Sequence, residues 1–145
     1  MATFHIIEDE EHLRRTLKSM ISIFGYQSDY FDSADAYIKH MKSTSYRAPS
    51  AILTDNMMPG TSGYELIKVV REVNPHQKIV MITGTPDRIH SSSDELCFTL
   101  KKPFRMVHFK ELLTALVSCC EDGDRSKFEK QCKYGLKHCC PREEK

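Results

Sequence analysis

The sequence predicts an α/β fold, a doubly wound five-stranded parallel sheet flanked by helices. Short β-rich runs alternate with helix-period stretches from Thr3 to about residue 120. The third and fourth of these runs are nearly all apolar, as strands buried on both faces should be. The residues with the richest chemistry fall at or just after the ends of the runs.

Thr3 to Ile7 is the first strand, after which Leu13, Leu17, Met20, Ile21 and Phe24 recur at helical spacing until Gly25 stops the helix. Gln27 to Phe31 forms the second strand and Ala34 to Met41 the next helix. Ala51 to Thr54 is the third strand; Leu66, Ile67, Val70 and Val73 mark a helix that ends ahead of Pro75. Ile79 to Thr83 is the fourth strand and Phe98 to Leu100 the fifth. Between them, Asp87 to Leu96 carries three consecutive serines and predicts only a short helix. Phe109, Leu112, Leu113, Leu116 and Val117 define the last amphipathic helix.

A chain of 145 residues, 40% hydrophobic and 28% charged, buries one core without help from disulfides or metals. The formal net charge of +1 provides no field of the kind that nucleic-acid binding needs, so no direct DNA partner is expected. The N-terminal MATFHIIEDEEH meets acids after a short apolar run, unlike a signal peptide, and no stretch approaches the roughly 20 apolar residues of a membrane span. A cytoplasmic protein is expected.

The pattern breaks after Gly123. Residues 1–122 are read as one domain and residues 123–145 as a basic tail, which from Asp124 onward carries seven Lys or Arg against four Asp or Glu. Cys119 and Cys120 close the last helix, and Cys132, His138, Cys139 and Cys140 lie in the tail. Their spacing is a poor match to structural zinc sites, leaving zinc, redox sensing and an inert or partner-binding tail open. The remaining histidines, among them His5 and His40, read as surface or core filler.

Ligands of doubly wound sheets bind beyond the carboxyl ends of the strands, where strand order reverses. Glu8 and Asp9 follow the first strand, Asp55 the third and Lys102 the fifth, while Thr83 ends the fourth. Three clustered carboxylates repel one another unless a divalent cation lies among them, and an oxygen-only set predicts Mg²⁺. Asp55 is then free to act as a nucleophile toward a phosphoryl donor, with Lys102 and Thr83 supplying charge and a hydroxyl donor. Taken singly, each residue has an ordinary explanation in helix dipoles, turns and solvated lysines.

Taken together, Glu8-Asp9, Thr54-Asp55-Asn56-Met57-Met58-Pro59-Gly60 with Gly63, Ile82-Thr83-Gly84 and Lys102-Pro103-Phe104 resemble the receiver domain of two-component response regulators, over residues 3 to about 122. The resemblance implies a flavodoxin-like sheet of strand order 2-1-3-4-5, Asp55 as phosphoacceptor, and Glu8, Asp9, Asp55 and the Met57 backbone carbonyl as Mg²⁺ ligands. It also implies that Thr83 and Lys102 contact the phosphoryl group and that the Lys102-Pro103 peptide is cis. A sensor histidine kinase is the implied donor. The output is a changed affinity for a downstream protein, or onward transfer to a histidine-phosphotransfer protein, with an unphosphorylated docking module as a further alternative. A monomer or weak dimer is expected, and not an enzyme with a metabolite substrate; a haloacid-dehalogenase-type phosphatase would want a second aspartate where Met57 stands.

The sequence departs from the family pattern in several places. Thr99 stands where an aromatic residue usually reads out the switch, and alternation points the neighbouring Phe98 to the opposite face. Glu8 replaces the commoner aspartate. Met57 and Thr85 offer no acid or amide to orient an attacking water, which predicts slow self-hydrolysis of an aspartyl phosphate.

Overall fold

The computed structural model describes residues 2–56, 58–74, 77–84 and 98–121. Met57, Thr85, the segment expected to hold a short helix over 87–96, and the tail from residue 122 lie outside the described residues. Five strands, β1 (Thr3–Ile7), β2 (Gln27–Phe31), β3 (Ala51–Asp55), β4 (Ile79–Thr83) and β5 (Phe98–Lys101), form one sheet in the order β2-β1-β3-β4-β5. All neighbours are parallel. The helices are α1 (Glu11–Ile23), α2 (Ala34–Met41), α3 (Gly63–Val73) and α4 (Met106–Glu121). β3 runs one residue further than the sequence predicts and therefore includes Asp55. β5 likewise extends to Lys101.

Period-2 alternation in the strands builds two cores. Phe4, Ile6, Leu53, Val80 and Ile82 face α1 and α4, where they meet Leu17, Ile21, Phe109, Leu112 and Leu116. Ile7, Ile52, Ile79 and Met81 face the other way, onto Tyr37 of α2 and Leu66, Ile67 and Val70 of α3. Each such side chain contributes roughly 1.5–3 kcal/mol on burial, so both faces of the sheet are held and its strand ends are fixed relative to one another.

Local signals account for the helix limits. Ser33 and Ser62 cap α2 and α3, their hydroxyls accepting from the backbone N–H of Ala36 at 3.0 Å and Glu65 at 3.2 Å. α1 ends at Gly25, whose φ of 88° suits glycine, and the Gly25 N–H donates to the Ser22 carbonyl at 3.0 Å. No helix among the described residues is long and apolar enough to cross a membrane.

Candidate functional site

The strand order reverses between β1 and β3, which run side by side with Ile7 opposite Thr54. The next residue of each strand is acidic, so Glu8 and Asp55 emerge together at the carboxyl edge. Hydrogen bonds fix the backbone there. The Glu8 N–H donates to the Phe31 carbonyl at 3.0 Å, and Arg14 of α1 donates from Nη1 to the Glu8 carbonyl at 3.0 Å. The Lys102 N–H donates to the Thr83 carbonyl at 2.8 Å, which joins the turn after β5 to the end of β4. The Lys102-Pro103 peptide is cis.

One carboxylate oxygen each from Glu8, Asp9 and Asp55 lies within 4.8 Å of the others. Lys102 Nζ stands 3.1 Å from Asp55 Oδ2 and 3.7 Å from Glu8 Oε2. The Glu8 side chain is only 2% exposed and that of Lys102 26%, while Asp9 is exposed, so the cluster is shielded from water on its Glu8 and Asp55 side and open at Asp9. Thr83 is buried at the end of β4, the strand paired with β3. Burial pushes the Glu8 carboxyl up to about 7, and the neighbouring Asp55 charge pushes in the same direction; the Glu10 N–H and Lys102 act against them.

Three carboxylates against one ammonium leave an excess of two negative charges when all are ionised. The upward shift of Glu8 is what a cluster with too little positive charge imposes on its buried carboxyl, and a hard divalent cation with oxygen ligands fits the same donor set. Of the residues singled out in the sequence, Glu8, Asp9, Asp55 and Lys102 converge in space and Thr83 adjoins them from β4. Arg14, which braces the Glu8 backbone, carried no sequence signal beyond its place on an exposed helix.

A family model described as the response regulator receiver domain matches residues 4–114. The chain belongs to this family. Similar receivers include the response regulator receiver protein CpdR of Brucella abortus, 29% identical over 117 residues that make up 77% of this chain and 90% of CpdR. Nodulation protein W of Bradyrhizobium diazoefficiens is 30% identical over 133 residues, 90% of this chain and 56% of that protein. This receiver thus spans nearly all of the first relative and about half of the second. Among solved structures, the response regulator TrrA of Thermotoga maritima, in complex with Mg²⁺ and BeF, superposes with a TM-score of 0.72 at 26% identity, covering 80% of this chain and 99% of that one. The strand order 2-1-3-4-5 expected from the resemblance is the one observed.

Proposed function

We propose that this receiver accepts a phosphoryl group on Asp55 and thereby switches its affinity for a downstream protein in the cytoplasm. The observation that carries the reading is the Lys102 ammonium 3.1 Å from Asp55 Oδ2, beside a carboxylate triad at the switch point of the sheet. An Asp55 carboxylate oxygen attacks the phosphorus of a phosphohistidine on a sensor kinase. The O–P bond forms as the N–P bond breaks, and the leaving imidazole takes up a proton. Lys102 follows the transferred charge from the carboxylate to the phosphoryl oxygens, and the Thr83 hydroxyl, one residue past the β4 position paired with Asp55, donates to the same group.

Glu8, Asp9, Asp55 and the Met57 backbone carbonyl are the proposed ligands of Mg²⁺, which when bound neutralises charge on the phosphoryl oxygens. The burial of Glu8 and its upward-shifted pKa support a cation there. That TrrA, a receiver of the same fold, was solved with Mg²⁺ and BeF supports Mg²⁺ as the choice of cation.

The test is intact mass after incubation with Mg²⁺ and acetyl phosphate. One phosphoryl group gained by the wild type and none by Asp55→Asn is the expected result. Equal uptake by both proteins, or by neither, overturns the assignment of Asp55.

A further inference from the structure

Among the described residues, the segment between Asp55 and α3 is held at its base beside the acidic site, at Met58, which is buried in the core under α2 and α3, and at the first turn of α2. At its base, the Gly63 N–H donates to the Asn56 carbonyl at 3.2 Å. A β-carbon at Gly63 would stand 2.5 Å from the Asp55 carbonyl oxygen, so the start of α3 is pressed against the end of β3. At its far side, the segment meets the first turn of α2. Thr61 Oγ1 donates to Asp35 Oδ1 at 2.5 Å, across 26 residues of sequence. Gly60 has φ of 79°, and a β-carbon there would lie 2.7 Å from Asp35 Oδ2. Asp35 thus accepts a charge-assisted hydrogen bond from Thr61 and lies beside Gly60, whose positive φ favours glycine.

We infer that Asp35 is a positioning residue for the phosphorylation site: it latches the segment after Asp55 to α2 through Thr61. The inference rests on the phosphoacceptor reading above. Closure at Gly63 fixes only the base of the segment. Beyond Met58, which is anchored in the core, the hydrogen bond from Thr61 to Asp35 ties the segment to α2, so the polar latch adds to how that side sits over the carboxylates. Asp35 itself needs no contact with metal or phosphoryl group. It acts by limiting the conformations available to the residues next to Asp55, and the gain is in orientation. The capping of α2 by Ser33 leaves the Asp35 carboxylate free for this role in the same helical turn.

The test compares the full-length wild type with Thr61→Ala, Thr61→Ser and Asp35→Asn. Thr61→Ala removes the donor and leaves every charge in place, which separates latching from a change in local electrostatics. The readouts are amide hydrogen exchange at Met58, Gly60, Thr61 and Ser62, and the rate of phosphoryl uptake from acetyl phosphate as Mg²⁺ is varied. Thr61→Ala is expected to speed exchange at these amides and slow uptake roughly three- to tenfold, the effect of losing one solvent-exposed hydrogen bond of ordinary net strength. Thr61→Ser is expected to restore both, and Asp35→Asn to fall between. Exchange and uptake at wild-type levels in Thr61→Ala overturn the latch, as does a Thr61→Ser protein as impaired as Thr61→Ala. If the wild type itself takes up no phosphoryl group, the phosphoacceptor reading fails, and the exchange comparison alone then decides whether Asp35 latches the segment.

Discussion

Lys102 Nζ lies 3.1 Å from Asp55 Oδ2 although 47 residues separate the two, and the same ammonium reaches Glu8 Oε2 at 3.7 Å. One cation therefore serves two carboxylates from adjacent strands, which ties the turn after β5 to the ends of β1 and β3. A lysine so placed repels a divalent cation but attracts a phosphoryl group, and these opposite effects can be separated by experiment.

Lys102→Met keeps the length of the side chain and removes the charge. Phosphoryl uptake from acetyl phosphate is expected to slow about 10- to 100-fold, the range for losing one preorganised charged donor. Mg²⁺ affinity at pH 8 is expected to hold or tighten, because a repelling cation has gone. Time-resolved intact mass and calorimetric Mg²⁺ titration check the two halves. A variant that loses Mg²⁺ binding as well would mean that Lys102 orders the carboxylates rather than serving the phosphoryl group.

The acidic site and the opposite core also predict the pH dependence of stability. Burial lowers the His5 imidazole from 6.5 to about 4, the Asp29 charge offsetting part of this and His40 adding to it. Between those values the unfolded chain binds a proton that the folded chain refuses, so this residue makes stability fall as pH falls, by at most about 3 kcal/mol. Glu8 works in the opposite direction. Its carboxyl is raised from 4.5 to about 7, the folded chain keeps a proton that the unfolded chain has lost, and stability falls as pH rises through that window, by a similar amount. Without metal the two slopes nearly cancel from about pH 4.5 to 6.5. Glu8→Gln is expected to show stability rising with pH, and His5→Gln stability falling with pH, in urea denaturation with a chelator present. Slopes of the same sign in both variants would contradict the assignment. Millimolar Mg²⁺ is expected to abolish the Glu8 slope, because the cation replaces the proton.

Gly63 begins α3, where alanine would ordinarily favour the helix by roughly 0.5–1 kcal/mol. Here the added β-carbon would stand 2.5 Å from the Asp55 carbonyl oxygen and 2.9 Å from the Asn56 Cα, both backbone atoms with little room to retreat. Gly63→Ala is expected to destabilise by about 1–3 kcal/mol and to slow phosphoryl uptake by displacing Asp55. Gly84 is the control: among the described residues nothing lies within 4 Å of its would-be β-carbon, and Gly84→Ala is expected to stay within about 0.5 kcal/mol of wild type. Thermal melts of the two variants make the comparison.

Much of the fold was legible because local patterns and global packing agree. Ile79–Thr83, apolar but for its last residue, is buried throughout, and the helical spacing of Leu66, Ile67 and Val70 is the spacing of their contacts with the sheet. Glu8, Asp9, Asp55 and Lys102 were legible for a related reason: each sits at a strand end, and strand ends are what a parallel sheet gathers on one edge. The Asp35–Thr61 latch was not, since both are polar residues in turn-like positions with no periodicity to pair them. His5 was misleading in a different way. In sequence it is one of seven scattered histidines, but alternation along β1 turns it into the α2 face, where Phe31, Tyr37, His40 and Tyr46 surround it.

That aromatic setting yields the last prediction. His5 Nδ1 and the Tyr37 hydroxyl are 2.9 Å apart, and both side chains are almost wholly shielded from water. A buried pair of this kind contributes little beyond its solvated alternatives while intact, but removing the Tyr37 hydroxyl takes a partner from the buried His5 imidazole and from the Tyr46 hydroxyl, which also bonds Tyr37. Tyr37→Phe, which preserves the ring against Phe31 at a centroid distance of 4.9 Å, is therefore expected to cost about 1–2 kcal/mol through the lost hydroxyl contacts, chiefly the orphaned imidazole, rather than through lost packing. Replacing His5 by phenylalanine removes that orphan. The double variant His5→Phe/Tyr37→Phe is expected to be more stable than the sum of the single changes predicts, by roughly 0.5–2 kcal/mol in a cycle of urea unfolding free energies. Strict additivity would show that the two groups do not depend on each other and that Tyr37 holds α2 to the sheet by its ring alone.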